Sequence, residues 1–387
     1  MRHYDRLVRE PKGSYFLLGP RGTGKSSLLS RRHPDGLRID LLDAAVEREL
    51  SARPERLLDL VAPHPRDQPV VLDEVQRVPE LLNAVHQLIE RDRRRFVLSG
   101  SSARKLRRAG TNLLGGRAAM TTLGPFLAAE LGDDFSLDDA LRVGLIPLIL
   151  ASPEPERALR DYAGLYVREE VRAEALVRSH GDFSRFLEVI AFSHASPVNI
   201  SDIARDCAIT RRTAEGYLGV LEDLLLGARL PPFTRGAVRA TIAHPKFYYF
   251  DAGLYQSLLP AGPLDRPSEA GGAALEGIVV QHLRAWASDA GDHTVSFWRT
   301  RTGLEVDIVL YGPEEFIAVE VKLSRTVKSS DLSGLRAFGT DYPEAKRFVL
   351  ARGARSEEVD GIRILPVAEA LKRVRPGESI TNAWMEP

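Results

Sequence analysis

Apolar positions fall into two rhythms along the chain. Short runs at Tyr15–Leu18, Pro69–Leu72 and Phe96–Leu98 are bounded by turn residues and read as buried strands. The stretches between them repeat with a helical period. Strands alternating with helices predict a parallel sheet with helices on both faces, a three-layer α/β domain over residues 1–130.

The rhythm then changes. Residues 125–150 are acidic and proline-bounded and read as a lid or linker, and residues 161–199 carry two amphipathic stripes. Ser201 opens a short helix as its cap. Thr210 caps a second helix, Arg211–Leu226, so the spacing is that of a helix-turn-helix. Residues 228–251 can add a β-hairpin wing, which makes 131–260 a helical and winged-helix region.

After a Pro/Gly-rich linker, residues 274–287 predict an amphipathic helix with Glu276 near its start. A strand through Trp298, a turn at Gly303 and a strand holding Asp307 follow. The next strand alternates so that Glu320 and Lys322 share a face. Two further strand–helix steps complete a mixed α/β domain over 268–387.

Composition changes this picture little. Hydrophobic residues are 44% and charged residues 27% of 387, with 53 basic against 53 acidic side chains. No net field announces a nucleic-acid partner, so local charge must carry that argument. The single cysteine, Cys207, excludes an internal disulfide and a Cys-rich metal site. No apolar run reaches about 18 residues. A cytoplasmic protein without a membrane partner is expected.

The first chemistry is specific. Gly19-Pro20-Arg21-Gly22-Thr23-Gly24-Lys25-Ser26 stands between a strand and a helix, the context that a phosphate-binding loop requires. Glycines let backbone amides curl around phosphate oxygens, and the helix beginning near Ser27 turns its positive end toward them. Lys25 reaches the outer phosphates and Ser26 is placed to ligate Mg²⁺. Asp73 and Glu74 end the next apolar strand, where Asp73 would hold the Mg²⁺ water shell and Glu74 would polarise the attacking water. Ser99 ends a third strand and could sense the γ-phosphate or orient that water. ATP and Mg²⁺ are the expected cofactors.

The run from Leu72 to Ala118 resembles a group of bacterial and archaeal AAA-type ATPases joined to a C-terminal region long described as of unknown function. The matching pieces are Ser99–Arg104 and Leu114–Arg117, and residues 166–177 and 246–259 extend the likeness through most of the chain. The resemblance implies that Arg117 or Arg104 meets the γ-phosphate, in cis or from a neighbouring subunit, and hence a homo-oligomer. The plainer alternative is a basic surface: nine residues from Arg91 to Arg117 are basic and only Asp92 is acidic.

The C-terminal order of Glu on a helix, Asp on one strand and Glu-x-Lys on the next resembles the PD-(D/E)xK nuclease superfamily, a restriction-endonuclease-like fold. The resemblance implies that Asp307, Glu320 and Glu276 hold Mg²⁺ against a scissile phosphate, with Lys322 activating water and Gln281 as a helper. Arg299 and Arg301 would contact the nucleic-acid backbone. Arg211, Arg212 and Thr213 would lie nearest DNA in the helix-turn-helix. Between Arg205 and Arg235, however, five basic residues face four acidic ones, and such modules also dock proteins.

One chain would therefore use ATP to control a Mg²⁺-dependent nuclease domain acting on DNA, with RNA still open. The alternative is a nucleotide-switched DNA-binding or scaffolding ATPase whose nuclease-like domain is inactive. A metabolic kinase is disfavoured, because no acceptor-substrate motif follows the P-loop.

Overall fold

The computed structural model describes residues 3–102, 113–166, 179–236, 239–260, 267–353 and 355–386. Arg104, and all but the first residue of the family-like segment 166–177, lie outside them. The chain forms two compact units. One is Val8–Gly124 with Asp223–Leu225; the other is Met1–Leu7, Pro125–Glu222 and Leu226–Pro387.

The smaller unit is built on β1 (Ser14–Leu18), α1 (Lys25–Arg32), β2 (Leu37–Asp40), α2 (Ala44–Ala52), α3 (Arg56–Val61), β3 (Val70–Asp73), α4 (Leu81–Asp92), β4 (Phe96–Gly100) and β5 (Ala118–Thr122). Its sheet is parallel in the order β2-β3-β4-β1-β5. Strand alternation sorts the core into two layers. Phe16, Leu18, Val70, Leu72, Phe96 and Leu98 pack against Leu50, Leu57 and Leu81 of α2, α3 and α4. Tyr15, Leu17, Val71 and Val97 face the other way, onto Leu28 and Leu29 of α1. Burial on both faces is what lets these strands read as unbroken apolar runs. The sheet and its two helical layers are the α/β arrangement that the pattern predicted.

The larger unit begins with α5 (Ala128–Leu131), α6 (Leu137–Val143), α7 (Pro147–Leu150) and α8 (Pro155–Asp161). Residues 125–150, read from sequence as a lid or linker, are fixed within this unit. Asp251, buried, accepts from the Leu145 amide at 2.7 Å and the Leu254 amide at 3.0 Å. It thereby caps a later helix and clasps this segment at once. Gly144 has φ 79°, and a Cβ there would stand 2.0 Å from the Asp251 carboxylate, so only glycine fits.

Next come α9 (His180–Ala191), β6 (Ser196–Pro197), α10 (Ile200–Asp206), α11 (Arg211–Asp223), β7 (Gly227–Leu230), β8 (Lys246–Tyr249) and α12 (Ala252–Leu258). The three strands form an antiparallel sheet in the order β6-β8-β7. Thr210 caps α11, accepting from the Thr213 amide at 3.1 Å. The cap of α10 is Asn199 rather than Ser201, because the Asn199 side chain accepts from the Ser201 amide. An asparagine one step earlier satisfies the orphan donor first.

The last part holds α13 (Pro267–Ala290), β9 (Thr294–Arg299), β10 (Glu305–Tyr311), β11 (Phe316–Lys322), α14 (Ser333–Asp341), β12 (Lys346–Ala351), β13 (Glu357–Val359), β14 (Ile362–Pro366), α15 (Val367–Lys372) and α16 (Ile380–Met385). The sheet order is β13-β14-β12-β11-β10-β9, with β11, β12 and β14 parallel. Glu276 lies in the middle of α13 rather than near its start, since the helix begins within the stretch read as linker.

β7 and β8 pair antiparallel as the expected hairpin, and described residues of their connection lie along the edge of β9. The Phe233 amide donates to the Phe297 carbonyl at 2.6 Å, and the Ile242 amide donates to the Arg299 carbonyl at 3.0 Å. Phe233 is buried among Tyr311, Phe316, Phe338 and Tyr342. One aromatic anchor and an edge pairing thus join the middle region to the C-terminal sheet.

Candidate functional site

The smaller unit gathers its polar groups at the carboxyl ends of β1, β3 and β4, where ligands bind in open α/β sheets. Gly22 and Gly24 have φ of 82° and 87°, which the loop needs and side chains resist. A Cβ at Gly19 would lie 2.2 Å from the Leu123 carbonyl. The Lys25 ammonium folds back onto the carbonyls of Gly19 at 2.7 Å and Pro20 at 3.2 Å, and Thr23 donates to Pro20 at 2.8 Å. Ser26 and Ser27 follow in the first turn of α1, whose cap, Gly24, has no side chain to occupy the helix end. Arg21 is exposed at the loop's rim.

Asp73 is buried at the end of β3. Ser99 donates to it from β4 and also accepts the Glu74 amide at 3.1 Å. Glu74 has φ 61°, an uncommon conformation for a side-chain-bearing residue, fixed here by that bond. Two partners were not read from sequence. Gln76, buried, donates to the Glu74 carboxylate and to Ser101, and a Cβ at Gly100 would strike its amide oxygen at 2.5 Å. Arg38 reaches from β2 to Asp73 at 2.5 Å and also to Ser30 of α1. Gln76 stands two residues past Glu74 and Arg38 on β2, and neither belongs to a motif that assigns it a role.

The glycine cradle, the Lys25 ammonium folded onto the loop's own carbonyls and a carboxylate placed by Ser99 together fit ATP with Mg²⁺. Lys25 would hold the outer phosphates. Ser26 and Asp73 would hold the metal, which supplies charge neutralisation at the phosphates when bound.

Arg117 is elsewhere. It precedes β5, whose first residue, Ala118, pairs with Ser14 at the start of β1, the opposite end of the sheet from the P-loop. There it bonds Glu90 and the Gly115 carbonyl. The expected contact with the γ-phosphate in cis is therefore corrected: five residues of strand separate Arg117 from the loop.

In the larger unit, a register shift in β10 between Val306 and Val309 re-aims Asp307, which accepts from the Val321 amide at 2.8 Å. Glu320 is buried on β11, and Lys322 donates to it at 2.6 Å. Glu276, Asp307 and Glu320 do assemble, but with an unforeseen member. Lys246 of β8 places its ammonium 2.9 Å from Glu276, 2.6 Å from Glu305 and 3.8 Å from Asp307. Tyr248 donates to Glu276 as well.

Burial and then Asp307 push Glu276 up to about 7, against the pull of Lys246. Burial also raises Asp307, and burial with the neighbouring Asp307 raises Glu320 well above the carboxylate range. For Lys246, burial favours the neutral amine, but Glu276, Asp307 and Glu305 outweigh it and raise the ammonium above its ordinary range. Among the described residues no three His, Cys, Asp or Glu side chains converge as metal ligands. The cluster as built does not fit Mg²⁺, because its cation is a lysine.

Gln281 does not enter this cluster; its side-chain amide donates to the Phe126 carbonyl at 3.1 Å. Arg299 pairs with Glu305 at 3.4 Å, and Arg301 is exposed beside it. Arg211 and Arg212 are exposed at the start of α11, with Arg211 held by Glu215 at 3.0 Å. Thr213 shares a hydrogen bond with Thr210 at 2.8 Å.

Residues 12–132 match the family model of an AAA domain. The match supports an AAA-type ATPase at the N-terminus. Residues 134–265 and 271–370 match two models, each described as a domain of unknown function (DUF8612 and DUF4143). No curated protein matches the chain. Among solved structures, the Aeropyrum pernix ORC1 protein in complex with DNA aligns at 16% identity over 64% of this chain and 87% of its own, with a TM-score of 0.26. That score is too low to carry an argument. No helix among the described residues is long and apolar enough to cross a membrane.

Proposed function

We propose that this chain is an ATP-hydrolysing switch that works on nucleic acid, with DNA the first substrate to test, and that its C-terminal module engages that substrate without cutting it. The observation that carries the ATPase reading is the arrangement around Asp73. Ser99 orients that carboxylate and at the same time pins Glu74, whose side chain Gln76 holds beside the strand ends. In this reading Glu74 takes the proton of the attacking water, and Gln76 keeps it aimed.

The C-terminal order of helix, hairpin, strand, helix and parallel strand supports a nuclease-like fold, and helix–strand–helix–helix–strand–strand supports a winged helix ahead of it. Exposed Arg211, Arg212 and Arg301 are the side chains offered to phosphates. The acidic cluster already holds a cation of its own, Lys246, which is why binding without cleavage is the reading proposed.

The test measures phosphate release, DNA binding by fluorescence anisotropy with and without ATP, and nicking of supercoiled DNA in Mg²⁺ or Mn²⁺. Hydrolysis lost in Lys25→Ala and Glu74→Gln, with nucleotide-dependent DNA binding and intact plasmid, is expected. Metal-dependent nicking abolished by Asp307→Ala would overturn the non-cutting part and restore the nuclease. Wild-type protein that releases no phosphate would overturn the switch itself.

A further inference from the structure

Lys246 begins β8, where the chain returns from its path along β9. Its side chain is 2% exposed and lies under the ring of Phe297, 5.4 Å from the ring centre. Tyr248, two residues on and so on the same face of the strand, bonds the same Glu276 carboxylate. The three-stranded sheet thus supplies both a cation and a donor to carboxylates that belong to the six-stranded sheet and to α13.

We propose that Lys246 is the resident cation of this cluster: it stands where a divalent metal would bind, so the cluster as built excludes Mg²⁺ and Mn²⁺, and a chain lacking the ammonium accepts one.

Geometry argues first. The Lys246 contacts at 2.6 and 2.9 Å are hydrogen-bond lengths, whereas Mg²⁺ draws its oxygens in to about 2.1 Å. The carboxylates are therefore wrapped around an ammonium. Charge argues next. Lys246 already faces Glu276, Glu305 and Asp307, and Lys322 faces Glu320. A divalent ion added to this group would sit against a fixed positive charge that is nearly sealed from water.

A third observation is independent of Lys246. The Glu320 Oε2 is buried without a hydrogen-bond partner, an acceptor left open toward a cation. With the ammonium in place the carboxylates do not converge as metal ligands; its removal is what would let Glu276, Asp307 and Glu320 close on one.

The inference concerns metal binding alone and stands apart from ATP hydrolysis. Mn²⁺ binding is measured without nucleotide by the electron paramagnetic resonance of free Mn²⁺. The full chain carries Asp73→Asn throughout, so the P-loop site adds nothing. The parent should show no site that depends on Asp307. Adding Lys246→Met should create one Mn²⁺ site per chain, at least roughly tenfold tighter than any in the parent, and further Asp307→Asn should remove it.

Should Lys246→Met not unfold as a cooperative body, Lys246→Met with Glu305→Gln lowers the unpaired charge and answers the same question. A parent that binds Mn²⁺ and loses it with Asp307→Asn would overturn the proposal. So would a folded Lys246-substituted chain that binds none.

Discussion

Asp73, buried, and Asp307, with 13% of its side chain exposed, are strand carboxylates to which magnesium chemistry would assign a metal, and each is met instead by a basic side chain of its own chain. At Asp73 the partner is Arg38, with 36% of its side chain exposed and one carboxylate to hold. At Asp307 it is Lys246, 2% exposed and shared among three carboxylates. A half-exposed pair is screened by water and gives way at little cost, while an ammonium enclosed by carboxylates is held in a medium that strengthens every contact. The first site can exchange its cation for a metal nucleotide. The second is closed unless the ammonium is withdrawn.

The largest expected effect separates the two sites by function. Lys25→Ala should lower ATP hydrolysis by at least about a hundredfold, because it removes the loop's ammonium from the developing charge on the transferred phosphate. Phosphate release at saturating Mg²⁺ measures it, and a small loss would remove the first site from the chemistry.

Stability then tests the difference in burial. Lys246→Ala should cost about 3–5 kcal/mol, since it leaves buried carboxylates without their cation. Arg38→Ala should stay within about 1 kcal/mol. Denaturant unfolding of both variants decides this, and equal losses would erase the distinction.

Magnesium dependence sharpens it further. If Arg38 competes for Asp73, Arg38→Ala should reach half-maximal hydrolysis at roughly two- to fivefold lower Mg²⁺, the ratio that such an exposed pair supports. Arg38→Lys should restore the wild-type requirement. A lower maximal rate at an unchanged Mg²⁺ requirement would mean that Arg38 acts on the nucleotide instead.

The smallest effect is in pH. Glu276 is raised from the ordinary 4.5 to about 7 by burial and then by Asp307. Between those values the folded chain keeps a proton that the unfolded chain has released. The contribution is therefore full below pH 4.5 and lost as pH rises through about 7. Wild-type stability should fall across that window relative to Glu276→Gln, and parallel curves for the two proteins would contradict the burial of that carboxylate.

How much of this was legible in the sequence differs between the two units. The phosphate-binding loop, Asp73-Glu74 and Ser99 stand within or beside apolar strands whose periodicity names them, because a local motif needs only its neighbours to take shape. Glu276, Asp307, Glu320 and Lys322 were legible as types in an order. Their cation was not: Lys246 is 30 residues from Glu276 and sits in a strand of another sheet. The path of the wing's loop was hidden for the same reason: β7 and β8 pair as a hairpin, but residues of their connection dock on β9. Residues 231–242 have the turn-rich composition of an exposed hairpin, yet Phe233 finds its pocket among rings contributed from beyond residue 310.

By itself the sequence determined the parallel α/β sheet, the nucleotide loop and the helix or strand on which each carboxylate rides, since hydrophobic period and glycine spacing act over a few residues at a time. Only the tertiary structure decided what those carboxylates meet. Arg38 at Asp73, Gln76 at Glu74 and Lys246 in the acidic cluster are chosen by packing between elements, and so is the displacement of Arg117 to the far end of its sheet. The physical reason is that a charge is neutralised by whatever lies within a few ångströms in space, a distance that order along the chain does not encode.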